Sequence, residues 1–164
     1  LQDSLLDWAR RNGRDGRSLL PVMEERNSET RVYTFPDWFR WQHRVLPVIG
    51  PVLEPIARPG GVLTRALFVR LPPGAVITPH ADGQRMAELA HRIHVCLSDC
   101  PECEYTIGNE TLVMEPGVAY DFNNRWTHAV ANRGRTPRIN LMLEYLPAPD
   151  WVFPAPVMLG TGGR

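Results

Sequence analysis

Between Leu63 and Tyr145, apolar residues recur at every second position in short stretches, and turn signals close each stretch. A period of two marks strands that bury one face, and it rules out a bundle of long helices for this part of the chain. Candidate strands are Leu63 to Leu71, Val76 to Thr78, Arg92 to Leu97, Glu104 to Ile107, Thr111 to Met114, Val118 to Phe122, His128 to Ala131 and Arg138 to Tyr145. The separators Pro72-Pro73-Gly74, Gly108-Asn109, Glu115-Pro116-Gly117 and Asn132-Arg133-Gly134 have turn chemistry. Gly108-Asn109, between Tyr105-Thr106-Ile107 and Glu110-Thr111-Leu112, is the clearest hairpin. So many short strands in close succession predict a mainly β sandwich or jelly roll.

Helices are expected only at the front. Ser4 to Arg11 gathers Leu5, Leu6, Trp8 and Ala9 on one side, with Asn12-Gly13 as a stop. The polar stretch after it, to about Arg31, reads as loop. Thr34, Pro36 and Asp37 then suit a helix start, which predicts a helix from about Pro36 to Leu46 whose Trp38, Phe39, Trp41 and Val45 serve packing. Prolines at 47, 51, 55 and 59 are expected to break the next apolar segment into short turns of helix. No repeat or linker divides the chain. Residues 1–164 therefore read as one domain, with 1–62 as a helical and loop support, 63–147 as the β core and 148–164 as a tail.

Eighteen basic and eighteen acidic residues balance, so nothing marks a nucleic-acid partner or a polybasic membrane patch. No apolar run approaches the ~20 residues of a membrane span, and Asp3, Asp7, Arg10, Arg11 and Arg14 stand where a signal-peptide core would lie. A cytoplasmic location and a small-molecule or peptide substrate are expected.

Cys96, Cys100 and Cys103 form C-x3-C-x2-C, a spacing also used by radical S-adenosylmethionine enzymes to hold an iron-sulfur cluster. Only 61 residues follow Cys103, too few for the barrel that such chemistry needs, and position 102 is Glu. A zinc or redox role for Cys100-Pro101-Glu102-Cys103 stays open beside the simpler reading, reduced cysteines in a reducing compartment.

The chemistry-bearing pattern is His80-Ala81-Asp82, then His128, then Arg138. Residues i and i+2 of an extended strand point the same way, so His80 and Asp82 can reach one ion while Ala81 faces away. Two imidazoles and one carboxylate leave the remaining metal positions open, the arrangement of non-haem Fe(II) oxygenases. With five histidines in the chain, such a triad also arises by chance, so its context decides. In Arg92-Ile93-His94-Val95-Cys96-Leu97 the polar residues share one face, and Arg138 and Asn140 lie opposite Ile139, Leu141 and Leu143. A solvent-facing sheet gives the same alternation. Together with the triad, a polar barrel interior accounts for it better. An Fe(II) site working with 2-oxoglutarate also needs a buried cation for the far carboxylate, and the planar fork of Arg138 suits that role.

The segments Leu71-Pro72-Pro73-Gly74-Ala75-Val76-Ile77-Thr78-Pro79-His80-Ala81-Asp82, Arg92-Ile93-His94-Val95-Cys96-Leu97, Met114-Glu115-Pro116-Gly117, Asp121-Phe122-Asn123-Asn124, Trp126-Thr127-His128 and Arg138 resemble the aspartyl/asparaginyl beta-hydroxylase family. The resemblance covers roughly residues 63–147. It implies a double-stranded β-helix (jelly roll, cupin-like) with short N-terminal helices, Fe(II) at His80, Asp82 and His128, and 2-oxoglutarate held by Arg138 with help from Arg92 and His94. Some members of the family lack the acidic ligand; Asp82 sets this chain with those that keep it. A Ser that some members direct at the cosubstrate has no counterpart, since Val69 falls near that offset with Arg70 beside it. The implied reaction is hydroxylation of an unactivated C–H bond. Arg92 and Arg70 are candidates for a substrate carboxylate, which favours an amino acid or an Asp/Asn-type side chain. A structural ion pair is the alternative for either, and for Arg70 it is the better one. Trp126, Asn123 and Asn124 are candidates for the mouth of the site, with loop packing as the alternative. A non-catalytic jelly-roll module that binds a metal or an anion is the rival reading of the whole chain.

Overall fold

A computed structural model describes residues 22–26, 29–34, 36–83, 85–147 and 157–158, with side chains described over 38–83 and 87–147. The expected helix at Ser4–Arg11 lies outside the described residues. The strands are β1 Val22–Arg26, β2 Glu29–Thr34, β3 Val62–Leu71, β4 Val76–His80, β5 His91–Cys96, β6 Cys103–Ile107, β7 Glu110–Val113, β8 Ala119–Asp121, β9 His128–Asn132, β10 Arg138–Leu146 and β11 Val157–Met158. The helices are α1 Pro36–Leu53 and α2 Arg85–Leu89. Among the described residues, no helix is long and apolar enough to cross a membrane.

The protein is mainly β, with a double-stranded β-helix core. Two antiparallel four-stranded sheets form that core, in the orders β3-β10-β5-β8 and β4-β9-β6-β7. All eight strands expected from the sequence are present within a residue or two of their expected ends. The Gly108-Asn109 hairpin is also present. Ile107 pairs with Glu110, and Gly108 takes φ +59°, a left-handed conformation that a residue with a Cβ rarely adopts.

Each face of the first sheet has its own partner. Ala66, Phe68, Ile93, Val95, Leu97, Ile139, Leu141 and Leu143 form the outer face and pack against Trp41, Val45 and Ile49 of α1. The opposite parity of the same strands lines the space between the sheets. At one end of that space Leu71, Cys96, Cys100, Cys103, Tyr105, Met114 and Val130 form a second apolar cluster.

Two expectations at the front need correction. The stretch to Arg31 contains strands, because β1 pairs antiparallel with β2 and β11 joins β2 in parallel. Its runs are rich in charge, which hid the period of two. The helix that starts at Pro36 also does not stop at Leu46; it passes through Pro47 and Pro51 to Leu53. Pro47 and Pro51 are four residues apart on one stripe and both are exposed, so the carbonyls that lose an N–H partner face water. Meanwhile Trp41, Val45 and Ile49, also four apart, bury the opposite stripe. Tertiary burial therefore outweighs the two lost backbone bonds. Glu54 donates to the Gly50 carbonyl at 2.9 Å, and turns replace the helix before Pro55. The packing roles expected for Trp41 and Val45 hold, whereas Phe39 is exposed.

The junction of this support with the sheet depends on a close approach. A Cβ at Gly61 would sit 1.8 Å from the Tyr145 hydroxyl, which accepts the Arg58 backbone N–H at 3.0 Å. Gly61→Ala is therefore expected to lower folding stability by about 2 kcal/mol. A urea midpoint equal to that of the wild type would contradict this packing.

Candidate metal centre

His80 ends β4, His128 opens β9, and the two are register partners across the second sheet. A register shift between Ile77 and His80 bends β4 and redirects its last side chain. The two imidazole centroids lie 4.3 Å apart. Asp82 comes next in the loop, held by its backbone N–H on the Asn124 carbonyl at 3.0 Å. One ligand atom from each of His80, Asp82 and His128 falls within 4.8 Å of the others, the one such group among the described residues.

Hydrogen bonding sets the protonation pattern that a metal needs. His80 Nδ1 lies 2.8 Å from the Thr78 carbonyl, and His128 Nδ1 lies 2.9 Å from the Trp126 carbonyl. A carbonyl only accepts, so each Nδ1 carries the proton and each Nε2 offers a lone pair. Asp82 is divided in the same way. Its Oδ2 accepts from Arg92 Nη1 and from Asn124 Nδ2 at 3.1 Å, which leaves Oδ1 facing His80 Nε2 at 3.7 Å. Two donors at ~2.1 Å from one ion and at right angles lie ~3 Å apart, so a small side-chain movement closes this set on a divalent ion. His128 is buried and His80 exposed, so the site opens to solvent past His80.

From this group a row of interior side chains leads toward Arg138. The Phe122 ring lies 5.8 Å from His128 and stacks on His94 at 5.2 Å, and His94 meets Tyr105 edge-on at 6.3 Å. Arg138 Nη1 donates to the Tyr105 hydroxyl, and its guanidinium lies 5.2 Å from that ring centroid. With the Asn140 amide oxygen turned toward them, Asn140 accepts from both Tyr105 and Arg138.

Arg138 is 2% exposed, yet its Nε and Nη2 are buried without a hydrogen-bond partner. No carboxylate among the described residues forms an ion pair with it. A buried guanidinium in that condition costs several kcal/mol, which an incoming carboxylate offsets by accepting both free N–H groups. Burial, with help from the Arg138 and Arg92 charges, pushes the His94 pKa down to about 3, so this imidazole stays neutral between the metal group and Arg138.

Arg92 reaches the metal group too, but two carboxylates engage it: Nη1 binds Asp82 and Nη2 binds Glu144, leaving Nε buried without a partner. Arg70 does not join this set. It pairs in register with Ile139 and shares the parity of Ala66 and Phe68, the face turned to α1. Val69 pairs with Asn140 on the interior parity. Asn124 touches Asp82, and with Phe122 and Asn123 it lines a cavity of about 370 Å³ between α2 and the loop after β8. Trp126 is exposed, and its carbonyl orients His128.

The three cysteines are free and buried in the second apolar cluster. Burial raises the thiol pKa values of Cys96 and Cys103, the latter to about 11, so both stay protonated. They form no metal-holding group among the described residues. His43 and His91 stand apart from the metal group, His91 on Asp121 at 2.5 Å.

The contacts of Tyr105 with Arg138, of Glu144 with Arg92 and of Asn124 with Asp82 belong to the candidate site and were not singled out in the sequence. Glu144 had a visible signal, since it shares the parity of Arg138 and Asn140 on β10. Tyr105 had none, because an aromatic in an alternating strand reads as core.

Residues 31–147 match the profile of the aspartyl/asparaginyl beta-hydroxylases. The chain belongs to the aspartyl/asparaginyl beta-hydroxylase family. No curated protein matches it in sequence. Among solved structures, the apo form of the non-heme monooxygenase ThoJ superposes with a TM-score of 0.53 at 15% identity, over 73% of this chain and 65% of that one. The ThoJ–Ni complex gives 0.49 at 18% identity, over 66% and 56%. A cupin 2 conserved barrel domain protein from Salinispora arenicola gives 0.39 at 12% identity, over 55% and 66%. The chain thus spans little more than half the length of the ThoJ–Ni chain, and the likeness is one of fold.

The neutral, buried His94 has a measurable consequence for this family member without metal. Between pH 6.5 and about 3 the unfolded chain takes up a proton that folded His94 refuses. Stability then falls by about 1.4 kcal/mol per unit as pH drops through that window, and His94 adds no slope above it. Urea unfolding of the apoprotein from pH 4 to 7 should show a shallower slope for His94→Leu than for the wild type. Equal slopes would contradict the assignment.

Proposed function

We propose that this chain is a 2-oxoglutarate- and Fe(II)-dependent dioxygenase that hydroxylates an unactivated C–H bond of an amino acid or an Asp/Asn-type side chain. One observation supports this above the others: two Nε2 lone pairs and one carboxylate oxygen converge at one end of a barrel in which Arg138 is buried with two N–H groups unsatisfied. A metal without an organic acid would account for the triad and leave Arg138 unexplained.

The donor set fits Fe(II), with two neutral imidazoles and one anionic oxygen supplying three positions and leaving the others open. With Fe(II) held by His80, Asp82 and His128, the chemistry supplied would be oxidative decarboxylation of 2-oxoglutarate by O2 to succinate and CO2, coupled to transfer of the second oxygen atom to the substrate C–H bond. The chain's own residues do the positioning. Thr78 and Trp126 carbonyls hold the histidine tautomers, and Arg92 with Asn124 keeps Asp82 to a single free oxygen. Arg138 receives the far carboxylate, with Tyr105 and Asn140 fixing its fork. Neutral His94 adds no competing charge, and Phe122 walls the space beside it. The unpartnered Nε of Arg92 is the N–H left for a further acidic group near the metal. The cavity beside Asn124 gives room for the rest of the substrate.

Arg138→Ala is expected to weaken 2-oxoglutarate binding to the metal-loaded protein at least 100-fold, about 2.7 kcal/mol, and to spare metal affinity. Calorimetry with Mn(II) as a redox-silent stand-in measures both. Unchanged 2-oxoglutarate affinity would reject the anchor. A folded, metal-loaded wild type that binds no 2-oxoglutarate would favour the non-catalytic metal- or anion-binding module instead.

A further inference from the structure

Glu144 is neither a metal ligand nor a partner of Arg138, yet it is 3% exposed and lies at the centre of the first sheet. In register it faces Arg65 of β3 on one side and Arg92 of β5 on the other. Its Oε1 accepts from Arg65 Nη1 at 3.2 Å and from Arg92 Nη2. Arg92 Nη1 then donates to Asp82 Oδ2, while Asp82 Oδ1 faces His80 Nε2. Four charged groups thus run in a line from β3 to the metal-binding loop, two cationic and two anionic, and they cancel.

We infer that Glu144 is a positioning residue for the metal centre, acting through Arg92 to hold Asp82 with one oxygen free. The planar guanidinium makes this transmission geometric. With Nη2 fixed on Glu144, the plane and reach of Nη1 are fixed as well, and a second donor from Asn124 completes the capture of Oδ2. Asp82 then offers Oδ1 alone, so it occupies one metal position rather than two. Without the Glu144 charge, Arg92 loses its tether and the line gains one net positive charge beside a site for a divalent cation. Both effects weaken metal binding, and partners of a ligand at this distance commonly matter 10- to 100-fold.

The inference rests on the proposed metal site and is independent of 2-oxoglutarate. Its test is Co(II) titration of the apoprotein, following affinity and the visible ligand-field spectrum, for wild type, Glu144→Gln, Arg92→Gln and the double variant. Glu144→Gln should bind Co(II) about 10- to 100-fold more weakly than wild type, with an altered spectrum. In the Arg92→Gln background, adding Glu144→Gln should cost clearly less than it does in the wild type, because the route from Glu144 to Asp82 is already cut and only the loss of its charge remains. Wild-type affinity and spectrum in folded Glu144→Gln would overturn the inference, as would losses that multiply in the double variant. If Glu144→Gln fails to fold, Glu144→Asp keeps the charge on a shorter arm and is judged by the same two outcomes. A wild type that binds no Co(II) would instead overturn the metal site itself.

Discussion

Strand β10 is buried along all nine of its residues, and the rest of the structure depends on what its two faces accept. One parity, Ile139, Leu141 and Leu143, joins the apolar core beneath α1. The other, Arg138, Asn140, Met142 and Glu144, points between the sheets. Each fully buried aliphatic side chain contributes about 1.5–3 kcal/mol, while an unpaired buried charge costs several. The apolar face can therefore carry one imperfectly satisfied group on the other, and it carries Arg138. Glu144, by contrast, is held by two arginines. The strand concentrates its unsatisfied hydrogen-bonding capacity at one residue, where an anionic ligand can use it.

The metal group is a product of where strands end. Past the shift in β4, His80 stands beside its register partner His128 at the start of β9, and the loop beyond β4 returns Asp82 through a backbone bond to Asn124. Two backbone carbonyls choose the histidine tautomers, so both imidazoles offer Nε2 to an ion without a change of tautomer. Arg92 connects this preorganised group to the buried charges of the first sheet. The same residue was an obvious candidate for binding an anion. Its two terminal nitrogens are instead engaged by carboxylates of the protein, and one inner N–H remains.

The strands of the core were legible because a period of two recurs in them and turn chemistry, mostly glycine, proline or asparagine, closes each run. The convergence of His80, Asp82 and His128 and the burial of Arg138 were legible because metal and carboxylate chemistry restrict residue types severely. Less was visible where local and tertiary forces disagree. Pro47 and Pro51 argue locally for a broken helix, but their exposed stripe lies opposite a stripe that the sheet buries, and the sheet wins. Arg70 reads as a neighbour of the site until register shows the parity of its strand. Glu144 is paired only because Arg65 and Arg92, far apart in sequence, flank it across three strands, and no local pattern encodes that meeting.

The central proposal is that Fe(II) at His80, Asp82 and His128 and a carboxylate anchor at Arg138 hold one 2-oxoglutarate between them. The most direct measurement is anaerobic visible spectroscopy of the Fe(II)-loaded chain during titration with 2-oxoglutarate. A metal-to-ligand charge-transfer band that grows and saturates with bound 2-oxoglutarate is the result expected, since it requires the keto acid to chelate the same iron that the triad holds. A folded, iron-loaded protein that shows no band at any 2-oxoglutarate concentration would contradict the account.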